Sequence, residues 1–291
     1  MTRRFARLAW LAATCTYLLI ILGAIVRITG SGLGCGEHWP LCNGRLLPPL
    51  DLPTVIEYGH RLAAAAVSGL VTALAMYAWW LRHRPPPPST ALHHPGVAAY
   101  VALALLVVQV LLGAVTVKLS LPPWTVILHL GTAMLLLATL LVAAKRAKLT
   151  PGASPGNPEP PFTPGSRPGL VGTIALMLGF ATVLLGALTA NLGAASACLG
   201  FPLCNGELIP AGNYLQHVHW THRLLAFALF GYSLWWAVRS RRRGAWWVVA
   251  LVALQITVAV AMVLLALPRA LQAAHVAVGA AVWAGLVLAA W

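Results

Sequence analysis

The hydrophobic positions of this chain fall in long runs rather than in alternating or one-sided patterns. Apolar stretches of about 20 residues recur along it, and each is long enough to cross the roughly 30 Å hydrocarbon core of a bilayer as a helix. The pattern predicts an all-α integral membrane protein with eight transmembrane helices. We expect these helices at 8–27, 57–81, 97–117, 124–144, 169–190, 215–238, 245–266 and 270–291.

The composition agrees with this pattern. Of the 291 residues, 60% are hydrophobic and 8% are charged, which excludes a soluble domain of this length. The formal net charge of +14 does not indicate a nucleic-acid partner, because the basic residues cluster in short connections between the apolar runs. We interpret the first run as a membrane helix rather than a signal peptide, since no small-residue cleavage site follows it.

The distribution of lysine and arginine predicts the orientation of the chain. Most of the 19 basic residues lie at the N-terminus or in the connections after the second, fourth and sixth apolar runs. Cytoplasmic loops are enriched in such residues. We therefore expect a multi-pass protein of the cell (plasma) membrane with both termini in the cytoplasm, and with its two cysteine-containing loops on the outer face.

Sequence motifs repeat between the two halves of the chain. The segment PLCNG at 40–44 recurs at 202–206, and HRL at 60–62 recurs at 222–224. Two further pairs of residues match at a different separation along the sequence: Gln109 with Gln255, and His129 with His275. A common register of this kind indicates an internal duplication.

The duplication predicts two pseudo-symmetric four-helix bundles. Each half has an even number of helices, so both halves enter the membrane from the same side and form a parallel repeat. The first bundle is expected at 1–148 and the second at 169–291. A cytoplasmic linker rich in proline and glycine is expected between them at 149–168.

Four histidines occupy repeat-equivalent places in the even-numbered helices, toward their outer ends. Within a half, His60 can face His129, and His222 can face His275. A facing pair of imidazoles inside a helical bundle is suited to hold haem iron from both sides. The alternatives are hydrogen-bonded core histidines, or a zinc site, which would need more donors.

The two halves differ in the residue that lies three positions before His60 and before His222. It is Glu57 in the first half and His219 in the second. A carboxylate one turn from a candidate iron ligand could relay protons or stabilise an oxidising intermediate, and the alternative is an ion pair with a neighbouring arginine. The difference favours chemistry in the first half and electron transfer in the second. The sequence pattern does not assign a role to His217 or His219.

Arg61 and Arg223 each follow one of these histidines directly. Neighbouring helical positions point about 100° apart. The two guanidinium groups could therefore bond haem propionates without competing for the iron. The alternative is that they extend to lipid phosphates.

The cysteines fall in the two outer loops, with one exception. Cys35 and Cys42 lie in the first loop, and Cys198 and Cys204 lie in its repeat. An oxidising compartment favours two short disulfides, Cys35–Cys42 and Cys198–Cys204. Redox-active thiols remain the alternative for the first pair. Cys15, in the middle of the first run, is expected to be a buried apolar residue.

The motifs TGSGLGC at 29–35, WPLCNG at 39–44 and EYGHR at 57–61 resemble haem A synthase. The resemblance extends over nearly the whole chain, because the second half repeats the cysteine loop and both histidines. It implies an oxidoreductase that converts the methyl group at position 8 of haem O into a formyl group. The conversion passes through successive hydroxylations and loss of water, and gives haem A for cytochrome oxidase.

The resemblance also implies roles for the site residues. His60 and His129 would ligate the substrate haem, and Glu57 would be needed for the chemistry. His222 and His275 would ligate a haem b cofactor. The paired cysteines match the bacterial pattern with cysteine loops in both halves. Haem O synthase and cytochrome oxidase assembly proteins are the expected partners, together with membrane lipid.

Two other functions compete with this interpretation. A di-haem b-type electron-transfer protein, acting as a quinol oxidoreductase, would hold two permanent haems, and the difference between Glu57 and His219 argues against it. A transporter would place polar residues near the membrane midplane, where this sequence has few.

Overall fold

The computed structural model describes residues 2–46, 48–83, 96–148 and 168–291. This part of the chain forms eight long helices, and a short 3-10 turn at Ala194–Ser196. The long helices are α1 (Thr2–Ile28), α2 (Leu52–Arg82), α3 (Gly96–Lys118), α4 (Pro123–Lys148), α5 (Leu170–Asn191), α6 (Tyr214–Ser240), α7 (Arg243–Leu264) and α8 (Arg269–Ala290). The linker expected at 149–168 lies outside the described residues, apart from Pro168.

Every helix predicted from the apolar runs is present, and the first two begin earlier than predicted: α1 at Thr2 rather than at 8, and α2 at Leu52 rather than at 57. The early start of α2 bears on the candidate site. Asp51 caps it, because its Oδ2 accepts hydrogen bonds from the Thr54 hydroxyl (2.9 Å) and the Thr54 N–H (3.3 Å). These hydrogen bonds hold the pKa of the Asp51 carboxyl below its usual value. Glu57 therefore lies in the second turn of α2 and not at its first residue.

Seven of the eight described helices are long and apolar enough to cross a membrane, which agrees with an integral membrane protein. The exception is α6, which has sufficient length but is less apolar. Its N-terminal half carries several polar residues: Gln216, His217, His219, His222 and Arg223. Three of these belong to the candidate site, so part of the polarity of α6 comes from the candidate site residues.

The helices of each half pack in chain order, and the first helix of a half closes onto its last. In the first half α1 contacts α4, and in the second α5 contacts α8. Between the halves, α4 contacts α5 and α8, and α8 contacts α1. The Trp283 indole N–H donates to the Met134 carbonyl (2.7 Å). This bond fixes α8 against α4, and these two helices carry His275 and His129.

Candidate functional site

The histidines on α2 and α6 pack against glycines of the preceding helix. A Cβ at Gly23 of α1 would lie 3.2 Å from His60 Cε1, and a Cβ at Gly186 of α5 would lie 2.8 Å from His222 Cε1. A larger residue at either place would push the imidazole ring. The repeated LGA triplets at 22–24 and 185–187 thus place a glycine beneath an imidazole in both halves, a role that the sequence alone did not reveal.

The histidines on α4 and α8 contact glutamine amides of the preceding helix. Gln109 Nε2 of α3 lies 3.1 Å from His129 Nε2. Gln255 Nε2 of α7 lies 3.1 Å from His275 Nδ1. The sequence marked both glutamines only as matched positions of the repeat. Their contact with the histidines depends on how α3 is rotated against α4, and α7 against α8.

The structure brings together His222 and His275, one of the two histidine pairs that the sequence predicts. The rings of His222 and His275 meet edge to face, with centroids 6.5 Å apart. In the first half, His60 packs against Gly23 of α1 and His129 against Gly113 of α3, and the pairing of the two histidines stays a prediction. In each half the pair comes from the second and fourth helices, which face each other across the half.

These imidazoles fit a group that needs two protein ligands. Within the described residues, Nδ1 of His60, of His129 and of His222 is buried and has no hydrogen-bond partner. Imidazoles short of partners are suited to a ligand supplied from outside the chain. The described residues contain no cluster of three or more His, Cys, Asp or Glu side chains able to hold a metal ion. Two imidazoles per half match haem iron better than zinc.

Glu57 is buried and both of its carboxylate oxygens are engaged. The residue as a whole is only 3% exposed. The Cys35 backbone N–H donates to Oε2 (2.8 Å), and Arg61 Nη2 donates to Oε1 in an ion pair (2.6 Å). The ion pair that the sequence left as an alternative for Glu57 is therefore present, and the carboxylate also touches the first cysteine loop.

The two arginines hold the cysteine loops through backbone carbonyls. In both halves the same guanidinium nitrogen, Nη1, donates to two loop residues at repeat-equivalent positions. The acceptors are His38 and Leu41 for Arg61 (2.8 Å each), and Gly200 and Leu203 for Arg223 (3.0 and 3.1 Å). Contacts with propionates, predicted for both arginines, would have to use the guanidinium donors that these bonds leave.

His219 occupies the place of Glu57 in the second half and is also buried. Arg223 Nε donates to His219 Nε2 (3.3 Å), so the proton of this imidazole lies on Nδ1, which donates to the Ala194 carbonyl (3.1 Å). His219 is thus a neutral hydrogen-bonded residue that joins Arg223 to the loop. His217, in contrast, is exposed.

The cysteines of each loop are paired as predicted, Cys35 with Cys42 and Cys198 with Cys204. The first loop packs directly on the start of α2, because a Cβ at Gly34 would lie 2.5 Å from the Pro53 backbone. This close approach lets the Cys35 amide reach the Glu57 carboxylate. Cys15 is unpaired and half-buried, rather than buried as expected.

Comparisons with known proteins agree along most of the chain. The sequence model of a family described as cytochrome oxidase assembly protein matches residues 6–55 and 51–287. The chain is 34% identical over 259 residues to the heme A synthase of Symbiobacterium thermophilum, covering 84% of this chain and 81% of the relative. It is 32% identical over 230 residues to the heme A synthase of Halalkalibacterium halodurans, covering 77% and 72%. The heme A synthase of Shouchella clausii is 32% identical over 213 residues, covering 72% and 67%.

Proposed function

Because the chain belongs to the cytochrome oxidase assembly protein family, we propose that it acts as a haem A synthase, oxidising haem O to haem A in the cell membrane. The methyl group at position 8 gains one oxygen atom and becomes a formyl group. In net balance, the methyl group and one water give the formyl group, four protons and four electrons. These four electrons pass to an electron acceptor outside this chain.

The proposed architecture is two four-helix bundles, at 1–148 and 169–291, each with one haem site. The packing supports it, since α8 contacts α1 as α4 contacts α5, which is what a two-fold relation between the halves would give. We also propose that α6 spans the membrane as the eighth helix, and that both termini are cytoplasmic. The four acidic residues of the described part lie toward the cysteine-loop end: Glu37, Asp51, Glu57 and Glu207.

In the first half, we assign His60 and His129 as ligands of the substrate haem O. In the second half, His222 and His275 would hold haem b, which supplies one-electron transfer when bound. The glycines beneath His60 and His222 and the unpartnered ring nitrogens support these assignments. Haem O synthase, as the source of the substrate, and cytochrome oxidase assembly proteins, as the users of the product, are the proposed partners.

One observation carries the proposal furthest: a buried carboxylate stands beside one histidine pair and a neutral imidazole beside the other. Glu57 is placed to accept a proton released by oxidation of the substrate methyl group. Cys35 and Arg61 each use one lone pair of its two oxygens, which leaves lone pairs that can accept a proton. His219, already bonded on both nitrogens, offers no equivalent. The quinol-linked alternative would not require this difference, and no relative described above supports it.

The direct test is extraction and chromatography of the haems from protein purified with and without a supply of haem O. We expect haem B alone without haem O. With haem O, we expect haem B together with haem O and haem A or its hydroxylated intermediate. Haem B in both preparations, at two per chain, would favour the electron-transfer alternative. Absence of haem from both would contradict the two-site assignment.

A further inference from the structure

We propose that Gln109 and Gln255 are positioning residues, which set the orientation and hydrogen bonding of the imidazoles of His129 and His275. The proposal rests on the function proposed above, because it concerns the environment of the two haem sites. Each glutamine lies on the odd-numbered helix that precedes its histidine, and 20 residues before it in the chain. The arrangement thus occurs in both halves.

Each glutamine lies in the middle of its helix and contacts the imidazole directly. Gln255 Nε2 lies 3.1 Å from His275 Nδ1 and 3.2 Å from His275 Nε2. Gln109 Nε2 lies 3.1 Å from His129 Nε2. The surrounding sequence of α3 and α7 is strongly apolar at these positions. A polar side chain in such a segment is costly to keep, which makes it a candidate for function.

Glycines hold the amide and the imidazole close together. A Cβ at Gly279, one turn beyond His275 on α8, would lie 3.2 Å from Gln255 Nε2. In the first half, Gly113 lies one turn beyond Gln109 on α3, and a Cβ there would lie 3.2 Å from His129 Cε1. A glycine thus leaves room for the glutamine amide and the imidazole ring to lie close together in both halves, although the glycine stands on a different helix in each half.

A purely structural glutamine would have both ends of its amide satisfied. Within the described residues, Oε1 of Gln109 and Oε1 of Gln255 are buried and have no hydrogen-bond partner. A 180° turn of the amide exchanges oxygen and nitrogen, so each glutamine can accept a hydrogen bond from a ring N–H as well as donate one. Two repeat-equivalent amides with this unused capacity point to a role toward the imidazoles.

Such a partner acts on the bound group through the histidine. A hydrogen bond to the second nitrogen of a ligating imidazole fixes its tautomer and ring orientation, and raises its basicity. The reduction potential of a haem responds to both. Loss of the Gln255 amide should therefore raise the haem b potential, whereas a carboxylate there should lower it.

The test uses the purified full-length protein and measures haem b content, its optical and electron paramagnetic resonance spectra, and its reduction potential. Gln255→Met removes the amide but keeps the length of the side chain. Gln255→Glu keeps an acceptor. We expect both variants to retain haem b, with altered spectra and with potentials shifted in opposite directions. Gln272→Met is the matched control, since Gln272 lies one turn from His275 on α8 but donates to the Leu267 carbonyl.

The inference is wrong if Gln255→Met has the spectra and potential of Gln272→Met and of the unmodified protein. His275→Ala separates this result from a failure of the proposed function. If His275→Ala keeps the haem b signal, the ligand assignment itself has failed. Should Gln255→Met not accumulate, Gln109→Met gives the equivalent test in the first half, where haem O binding should weaken about tenfold while haem b is unchanged. Unweakened binding of haem O would overturn the proposal there.

Discussion

The two cysteine loops are built alike but meet different side chains on the helix that follows. In the first half, Glu57 accepts from the Cys35 amide and from Arg61. In the second half, His219 accepts from Arg223 and donates to the Ala194 carbonyl. An arginine holds the loop in both cases, so this part of the design does not depend on the carboxylate. The residue at this position also bonds the loop itself in both halves, through the Cys35 amide or the Ala194 carbonyl, so the loop contact alone does not require a carboxylate.

The charges of the two sites differ as a consequence. Glu57 balances the charge of Arg61, whereas the described partners of Arg223 are carbonyls and a neutral imidazole. A buried cation without a counter-charge attracts an anionic group. If one of the two arginines bonds a haem propionate, the comparison favours Arg223 over Arg61.

The largest effect is expected from removing the carboxylate itself. Glu57→Ala should lower haem A formation by about 100-fold or more, the usual contribution of a positioned proton acceptor, while haem b stays bound. His219→Gln, at the equivalent place, should keep most of the activity. Both are measured by chromatography of the haem products. Full activity in Glu57→Ala would remove this residue from the mechanism.

The arginines provide the next largest contrast, in stability. Arg61→Ala leaves Glu57 buried without its ion-pair partner, and such a loss costs about 3–5 kcal/mol. Arg223→Ala removes hydrogen bonds to carbonyls and should cost about 1–3 kcal/mol. Thermal unfolding in detergent measures both. The double variant Glu57→Gln with Arg61→Ala should recover part of the loss, and equal losses in the two single variants would contradict the difference in charge.

The glycines beneath the imidazoles should differ in a smaller but measurable way. A Cβ at Gly186 would lie closer to its imidazole than one at Gly23, 2.8 Å against 3.2 Å. Gly186→Ala should weaken haem b binding about tenfold, and Gly23→Ala should weaken haem O binding less. Gly231→Ala is a suitable control, because a Cβ there meets nothing within 4 Å. Equal binding in Gly186→Ala and the control would show that the ring is free to shift.

The smallest expected difference concerns the caps of α2 and α6. Asp51 caps α2 and Asn213, at the equivalent position, caps α6. The folded pKa of Asp51 is lowered by its hydrogen bonds with Thr54. The contribution of this cap to stability is therefore present above the unfolded pKa, and is lost as pH falls through the lower folded pKa. The cap of Asn213 does not titrate. Amide exchange at Thr54, corrected for intrinsic rates, should therefore rise at low pH relative to Gln216; parallel behaviour would contradict this.

The sequence could predict those structural features that produce a recognisable pattern of side chains along the chain. Long apolar runs and repeated motifs were sufficient to predict the helices, the cysteine pairs and the closeness of His222 and His275. The early start of α2 was also visible in principle, since Asp51 followed by Pro53 is a helix-start signal. The partners of Arg61 and Arg223 were not predictable, because they are backbone carbonyls, which every residue carries.

The glutamines illustrate another limit. The repeat identified Gln109 and Gln255 as matched, but their partners depend on the rotation of one helix against the next, which apolar patterns do not specify when α3 and α7 are hydrophobic on all sides. The role of Gly23 and Gly186 was hidden for the same reason. The sequence showed that these residues hold equivalent positions in the repeat, but it did not show which side chains they contact.

The most direct test of the central claim, that the halves hold different haems for different tasks, is the haem content of His60→Ala and His222→Ala purified with a supply of haem O. His60→Ala should retain haem B and contain neither haem O nor haem A. His222→Ala should lose haem B and still bind haem O. Loss of the same haem in both variants, or of none, would contradict the assignment of substrate and cofactor to separate halves.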